Sequence, residues 1–454
     1  MEKASKRKDP VVNLAPVVAK LHDIATEELC DEVFYAVRST ERQRDLSLHS
    51  LFHFWTAVVL RAPPSLSLAL EQAGLGIDPM VPKLTVALGS FFERCKTLHH
   101  GFFMGLYHRI TDRLEEETEG AYAREMHGLK KHFTAVGIID GSRCDKILHR
   151  LKILHDVRSV ILPGCMTAVY DLFRGFASRL FFWNDAALSE HKRTSEVIET
   201  LSEGMLLLGD RLYCTIEMFL DLRDAKCFGL FRRNKTLKHR MVRRLSRKRV
   251  PGGYLEDLLV EIGEGERLVE VRLIRLKANG KTHEAMTNVL DPEVLSAETI
   301  VDLYPLRWQV ERLFFALKVV LNLKEFYAAN PNAVAMQIYA AAAVHAVFRI
   351  AQGEVAEKLG VAPEEISTDK IFPRLAIAAY AVAMREVLHE EYQRQVPDKK
   401  LRKPSWNRFP FTKTRLSQIR LQQRSEHRKK RKYCKSRSQW KSLRAVRGSG
   451  RLLS

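Results

Sequence analysis

Residues 134–142 read TAVGIIDGS, and this stretch decides the fold. A short apolar, β-branched run closes on Asp140-Gly141-Ser142, where the residues before it are spaced as helices. Upstream, PVVAKLHDIATEELCDEVFYAV (16–37), LHSLFHFWTAVVL (48–60) and YHRITDRLEEETEGAYAREMHGLKKHF (107–133) place apolar residues on one helical face, with breaks at Pro63, Pro64 and near Gly74. Downstream, SVILPGCMTAVYDLF (159–173) and SRLFFWND (178–185) continue as strands, and HKRTSEVIETL (191–201) returns to helix. GMLLLGD (204–210) is then a buried strand that ends, like the first, in an acid, Asp210. Three strands, a helix and a fourth strand predict an α/β fold: a mixed sheet with flanking helices.

From Phe231 the chain turns basic and then β-rich. RRNKTLKHRMVRRLSRKRV (232–250) holds ten Lys/Arg in nineteen residues and no acid, which marks Arg243, Arg244, Arg247 and Lys248 as candidate phosphate contacts against the simpler reading of a solvated loop. YLEDLLVEIGEGERLVEVRLIRLKANGKTHEAMTNVL (254–290) alternates as strands joined at Gly263-Glu264-Gly265 and at Asn279-Gly280, the second a hairpin signal. A β-meander is therefore inserted before the closing helices. Ser296 is a candidate N-cap for AETIVDLY (297–304).

Composition bounds the rest. A 454-residue chain with 46% hydrophobic residues is a folded protein of roughly two or three structural units. Its net charge of +20 is unevenly placed: from Lys399 onward there are 20 Lys/Arg and one acid, Glu426, while the remainder carries 54 Lys/Arg against 53 Asp/Glu. The body is near neutral and the tail is a polycation, with RKKRK at 428–432 and interleaved Trp406, Phe409, Phe411, Tyr433 and Trp440. The seven cysteines are scattered singly with no CxxC pair, which argues against a zinc site or a disulfide framework and fits a reduced cytoplasm. MEKASKRKDP at the start has no signal-peptide pattern, and AVAMQIYAAAAVHAVFRI (333–350), with Gln337 and His345, reads as a buried helix and not a membrane span.

YPLRWQVERLFFALK (304–318) raises the functional question. On an α-helix, Tyr304, Arg307, Glu311 and Lys318 fall within an arc of roughly 60° over about 21 Å, too long to converge on one small ion but suited to an extended anionic polymer. A solvated face with an Arg307–Glu311 pair is the plain alternative. Asp140 and Asp210 each end an apolar strand; if those strands are parallel and adjacent, the two carboxylates would come within a few ångströms of each other, and Glu311 could join them from a helix packed on the same sheet. Clustered carboxylates demand cations, and hard oxygen donors suit Mg²⁺ or Mn²⁺. Each acid also has a structural reading: Asp140-Gly141 is a common turn dipeptide, Asp210 precedes Arg211, and Asp145 and Asp171 compete for the assignments.

The order Asp140, Asp210, insertion, Glu311, with Tyr304-x2-Arg307-x3-Glu311-x6-Lys318, resembles the DDE transposases of bacterial insertion sequences, in the group with a Tyr-Arg-Glu-Lys signature. TNVLDPEVLSAETIVDLYPLRWQVERLFFALK (287–318) resembles that family's approach to the signature, with Thr287-Asn288 and Arg307-Trp308 in place. The likeness covers roughly residues 132–350. It implies an RNase H-like core and two Mg²⁺ or Mn²⁺ ions held by Asp140, Asp210 and Glu311. It also implies contacts from Tyr304, Arg307 and Lys318 to the DNA backbone at the transposon end, action on terminal inverted repeats and target DNA, and a homodimer acting in the bacterial cytoplasm, at the nucleoid when bound to DNA.

The expected organisation is an N-terminal helical domain (1–130), the first part of the core (131–230), a basic β-rich insertion (231–295), closing helices with Glu311 (296–395) and a basic DNA-binding tail (396–454). Some relatives stack a flipped base on a Trp of the insertion; between Gly252 and Leu303 this chain has none, and Tyr254 is expected to serve the core or a hairpin. Trp308 is expected to pack against the core. The rival readings are an RNase H-like nuclease without strand transfer and a catalytically silent DNA-binding protein.

Overall fold

TAVGIIDGS does open a sheet, and three of the helices before it carry side-chain N-caps. The computed structural model describes residues 10–19, 24–76, 78–143, 164–184, 193–323, 326–328, 330–395 and 412–421. A short strand β1 (Val11–Asn13) precedes α1 (Ala15–Ala19), α2 (Glu27–Val37), α3 (Leu48–Arg61), α4 (Leu66–Gly74), α5 (Leu88–Thr97) and α6 (Gly101–Glu117). Thr26, Ser47 and Ser65 each accept a backbone N–H three residues on, which satisfies donors that the first turn of α2, α3 or α4 leaves without an intrahelical partner.

The core sheet follows as β2 (Val136–Arg143), β3 (Cys165–Asp171), β4 (Ala177–Trp183), then α7 (Thr194–Ile198), β5 (Leu206–Gly209), α8 (Ile216–Asp224) and β6 (Phe228–Arg232). The basic run becomes β7 (Arg240–Val250), and the meander is completed by β8 (Gly253–Ile262), β9 (Val269–Ala278) and β10 (Lys281–Thr287). Asn279 and Gly280 both have positive φ, 51° and 73°, as the two-residue β9–β10 turn requires. The closing elements are α9 (Ala297–Leu303), α10 (Gln309–Phe315), α11 (Pro331–Leu359), α12 (Thr368–Gln395), β11 (Lys413–Arg415) and α13 (Leu416–Ile419).

One sheet of nine strands runs β4-β3-β2-β5-β6-β10-β9-β8-β7. β2, β3 and β4 form an antiparallel meander, while β5 and β6 run parallel to β2. That five-strand order is the RNase H-like arrangement, and the inserted meander extends the same sheet through the β6–β10 pairing. Thr287-Asn288 fastens this junction: the Asn288 side chain accepts from Gly229 N (2.7 Å) and donates to Cys227 O (3.2 Å).

Strand alternation divides the core into two faces. Val136, Ile138, Leu206, Leu208, Leu255 and Ile274 belong to the larger front core, shared with the N-terminal helices, α10 and α11. Ile139, Leu207, Phe231, Leu258 and Leu273 belong to the back core, covered by α7 and α8. The apolar stretch 333–350 lies in α11, and 89% of its most apolar window is buried inside the fold, as a core helix requires. The N-terminal helices pack directly on α11 and on β4, so front-core residues run from Val12 to Ile419. Within the tail, β11 pairs antiparallel with β1. Asp145, RKKRK and the five tail aromatics lie outside the described residues.

Candidate active site

β2 and β5 lie side by side in parallel, with Ile138 opposite Leu208. Continuing that register by two residues brings Asp140 level with Asp210, on strands about 4.8 Å apart. Here the strand order reverses, with β3 and β4 on one side of β2 and β5 and β6 on the other, the kind of switch point where α/β sheets bind ligands. The strand does not stop at Asp140, as expected, but runs to Arg143, so Asp140 stands within β2 and faces front with Val136 and Ile138. Its Oδ1 accepts the Gly141 N–H at 3.0 Å. Asp210 Oδ1 accepts the Leu212 N–H at 2.6 Å and caps the turn after β5. At Gly209 an added Cβ would come within 2.9 Å of the Phe231 ring and 3.0 Å of the Tyr213 ring, so only glycine fits before this acid.

The segment 304–318 is helical throughout but is not one α-helix. Tyr304–Trp308 is a 3₁₀ turn with Pro305 at its start, α10 follows, and Ala316–Val320 is a wider π turn closed by Leu321 N donating to Ala316 O. Pro305 lacks the N–H an α-helix interior needs, and a 3₁₀ turn advances about 120° per residue against about 100°. The four signature side chains therefore do not share one solvent face. Tyr304 turns inward: it is buried, its hydroxyl donates to Gly209 O at 3.2 Å, and burial, with the nearby Asp210 charge adding and Arg307 opposing, pushes its phenol up to about 12.

Arg307 joins two of the acids. Its guanidinium lies 3.5 Å from Asp140 Oδ2 and 4.0 Å from Glu311 Oε1, and its side chain is only 12% exposed. The guanidinium also lies over the ring of the half-buried Trp308 at 5.3 Å, so Trp308 supports Arg307. Lys318 Nζ donates to Ser142 Oγ at 2.6 Å, which ties the π turn to β2. Val310, Leu313 and Leu317, all buried, seat the helix on the front core, each contributing about 1.5–3 kcal/mol. Asp171, the competing acid, is taken by Arg174 (2.8 Å) and by the Phe173 and Arg174 N–H groups, so it serves the β3–β4 turn.

Among the described residues no three His, Cys, Asp or Glu side chains form a ready group for a metal ion. Asp140 and Glu311 nevertheless share one cation, and Asp210 stands level with Asp140 on the adjoining strand end. A hard-oxygen donor set that already gathers positive charge fits a divalent cation.

From Arg240 to Val250 the basic run is an edge strand, not a loop, and it divides its cations between the faces. Arg243 is level with Leu259, Lys248 pairs with Glu298 of α9 at 2.7 Å, and Arg240 pairs with Glu261; all three face front. Arg244 and Arg247 face back, 3.6 Å and 3.5 Å from Glu256. Tyr254, expected in a core or hairpin role, lies on the back face under Arg247 at 4.3 Å and Lys277 at 5.9 Å. Sequence reasoning missed Ser142, which sits in the opening motif but whose partner lies 176 residues away. It also missed the fully buried Arg272–Asp257 pair.

Residues 167–347 match the family model described as Transposase DDE domain. A protein of Synechocystis named as a transposase for an insertion sequence element is 23% identical over 63% of this chain and 79% of its own length. A Sinorhizobium fredii protein named as a transposase is 28% identical over 33% of this chain, and the match spans only 44% of that relative. A cryo-EM structure of the piggyBac transposase synaptic complex with hairpin DNA aligns over 94% of this chain and 91% of its own at 12% identity, with a TM-score of 0.38.

Proposed function

We propose that this chain, which belongs to the DDE transposase family, cuts DNA at the ends of its own mobile element and joins the freed 3′-hydroxyl to target DNA. The observation that carries the reading is the single guanidinium of Arg307 between Asp140 and Glu311, residues 171 positions apart in the chain, beside the strand end that bears Asp210. Asp140, Asp210 and Glu311 would hold Mg²⁺ or Mn²⁺, two ions in the full site. When bound, such ions activate the attacking oxygen and stabilise the leaving one in an in-line displacement.

The chain's own residues place the DNA. Arg307 can fork onto a phosphate oxygen pair, and Lys318 supplies a point charge farther along, in the π turn that follows α10. Arg243 and Lys248 extend the same front face toward the edge of the sheet. Tyr304 acts beneath the surface, holding the Gly209 carbonyl and with it the turn that aims Asp210. Orientation of this kind lowers a barrier by fixing the reacting atoms before reaction. Two element ends are handled together, which calls for two copies of the chain, acting in the bacterial cytoplasm.

The test is a strand-transfer assay with Mg²⁺ and candidate terminal repeats, run beside Asp210→Ala. Joined product from the wild type and none from the variant supports transposition. Cut ends without joining would replace it with a nuclease, and a mobility shift without cutting in either protein with a silent DNA-binding protein.

A further inference from the structure

The back face of the inserted meander presents an ordered array of guanidinium groups that the active site does not use. Glu284 holds Arg233 (2.7 Å) on one side and Arg275 (2.7 Å) on the other. Glu256, buried, receives Arg275 at 3.6 Å, Arg247 at 3.5 Å and Arg244 at 3.6 Å. Two carboxylates thus fix four guanidiniums, and Lys277 and Arg249 add two more cations on the same face, each level with Tyr254 in the strand register. Arg244 and Arg247 remain about half exposed, at 51% and 48%. On the front face, by contrast, Arg240 and Lys248 are each paired with their own acid.

The topology says what this array can reach. Five strands stand between β2 and β7, so β7 lies about 29 Å across the sheet from Asp140 at about 4.8 Å per strand. Arg233 follows β6, which is parallel to β2 and β5, and Glu284 lies on β10 antiparallel to it. The array therefore lies at the same end of the sheet as Asp140 and Asp210, but on the opposite face. A duplex held against Arg307 and Lys318 touches the front, and the back array is left for another.

We propose that this back face is a second DNA-binding surface that takes the sugar–phosphate backbone of the target duplex, while the front face holds the element's own end. The proposal rests on the transposase reading above. Arg244 and Arg247, fixed by Glu256 and still about half exposed, lose little side-chain freedom on meeting phosphates, and Tyr254, covered by Arg247 and Lys277, leaves backbone and not base contact as the mode.

The experiment uses the full chain carrying Arg249→Gln with Lys277→Gln, which leaves the Glu256 pairs intact, and separately Arg244→Gln with Arg247→Gln. Each is checked for unchanged Tm and assayed three ways: cleavage of an end substrate, joining of a pre-cut end to plasmid, and binding of unrelated duplex across a salt series. Both pairs are expected to keep end cleavage within about twofold and to lose joining by at least about tenfold. The slope of log K against log salt should fall by about one for each phosphate that is no longer neutralised. Equal loss of cleavage and joining would overturn the proposal by making one surface serve both duplexes. Unchanged joining and slope would overturn it by reducing the array to a structural lattice. If the wild type neither cuts nor joins, the transposase reading fails, and the salt slope alone still shows whether the back face binds duplex DNA.

Discussion

Arg307 reaches Asp140 across 167 residues of chain and stands 3.5 Å from its carboxylate, a contact that no local interaction brings about. β2 supplies the acid, the front core seats α10, and the 3₁₀ turn at Pro305 aims the guanidinium. The signature residues are therefore a tertiary arrangement in which one cation screens two carboxylates.

Removing that cation exposes the repulsion. Arg307→Gln is expected to lower the Tm of the metal-free protein, and added Mg²⁺ is expected to raise the Tm of the variant more than that of the wild type. Differential scanning fluorimetry with EDTA and with Mg²⁺ measures both; an identical Mg²⁺ response in the two proteins would show that Asp140 and Glu311 do not share an ion site.

Asp140→Asn, Asp210→Asn and Glu311→Gln keep shape and remove charge. Each should reduce cleavage of an end substrate by about 10³-fold or more while leaving the fold intact, and any two together should cost little more than one, because the groups act as a unit. Gel assays of product against circular dichroism separate a chemical defect from a structural one. Additive effects would argue against a shared site.

Tyr304→Phe deletes one hydrogen bond and leaves the Gly209 carbonyl, otherwise buried under the ring, without that donor. The expected cost is about 1 kcal/mol of stability, read by urea denaturation, together with slower cleavage because Asp210 follows that carbonyl directly. In the wild type the phenol, raised to about 12 by burial, keeps its proton through neutral and mildly alkaline pH. Because the folded value lies above the unfolded value near 10, its stabilisation is present below pH 10 and is lost as pH rises toward 12.

Arg272 and Asp257 form a buried pair, 0% and 2% exposed, and Arg272 Nη1 also donates to the carbonyls of Val289, Asp291 and Leu295, which lead into α9. Arg272→Met alone strands a buried carboxylate and should cost about 3–5 kcal/mol, whereas Arg272→Met with Asp257→Leu should recover most of that. Denaturation midpoints of the single and double variants decide it. A double variant as unstable as the single would mean that the carbonyl contacts carry the effect.

Acid should destabilise the body of the protein. Burial pulls His100 and His108 down to about 4 from a usual 6.5, with the His99 and Arg179 charges adding to the effect. The depressed folded values mean that stability is full above pH 6.5 and falls as pH drops from 6.5 toward 4, where the unfolded chain takes up protons first. Thermal unfolding at steps through that window tests it, and His108→Gln should flatten the slope.

Much of this protein is already determined by its sequence, because it depends on local spacing and turn chemistry. Short apolar runs leading into Asp140 and Asp210 mark β2 and β5, Asn279-Gly280 sets a hairpin, Ser296 caps α9 through Thr299 N, and the Ala-rich stretch 333–350 is a core helix. The identities of Asp140, Asp210 and Glu311 as candidates come from the same local reading. What only the tertiary structure decided is direction. An ideal helix puts Tyr304 beside Arg307 in solvent, yet Pro305 and the front core turn Tyr304 inward to Gly209. A run of cations in the sequence has no faces, and β7 acquires two only by pairing with β8, which sends Lys248 toward α9 and Arg247 toward Glu256. Register and packing are set by partners far away in the chain, and a one-residue change in either reverses where a side chain points.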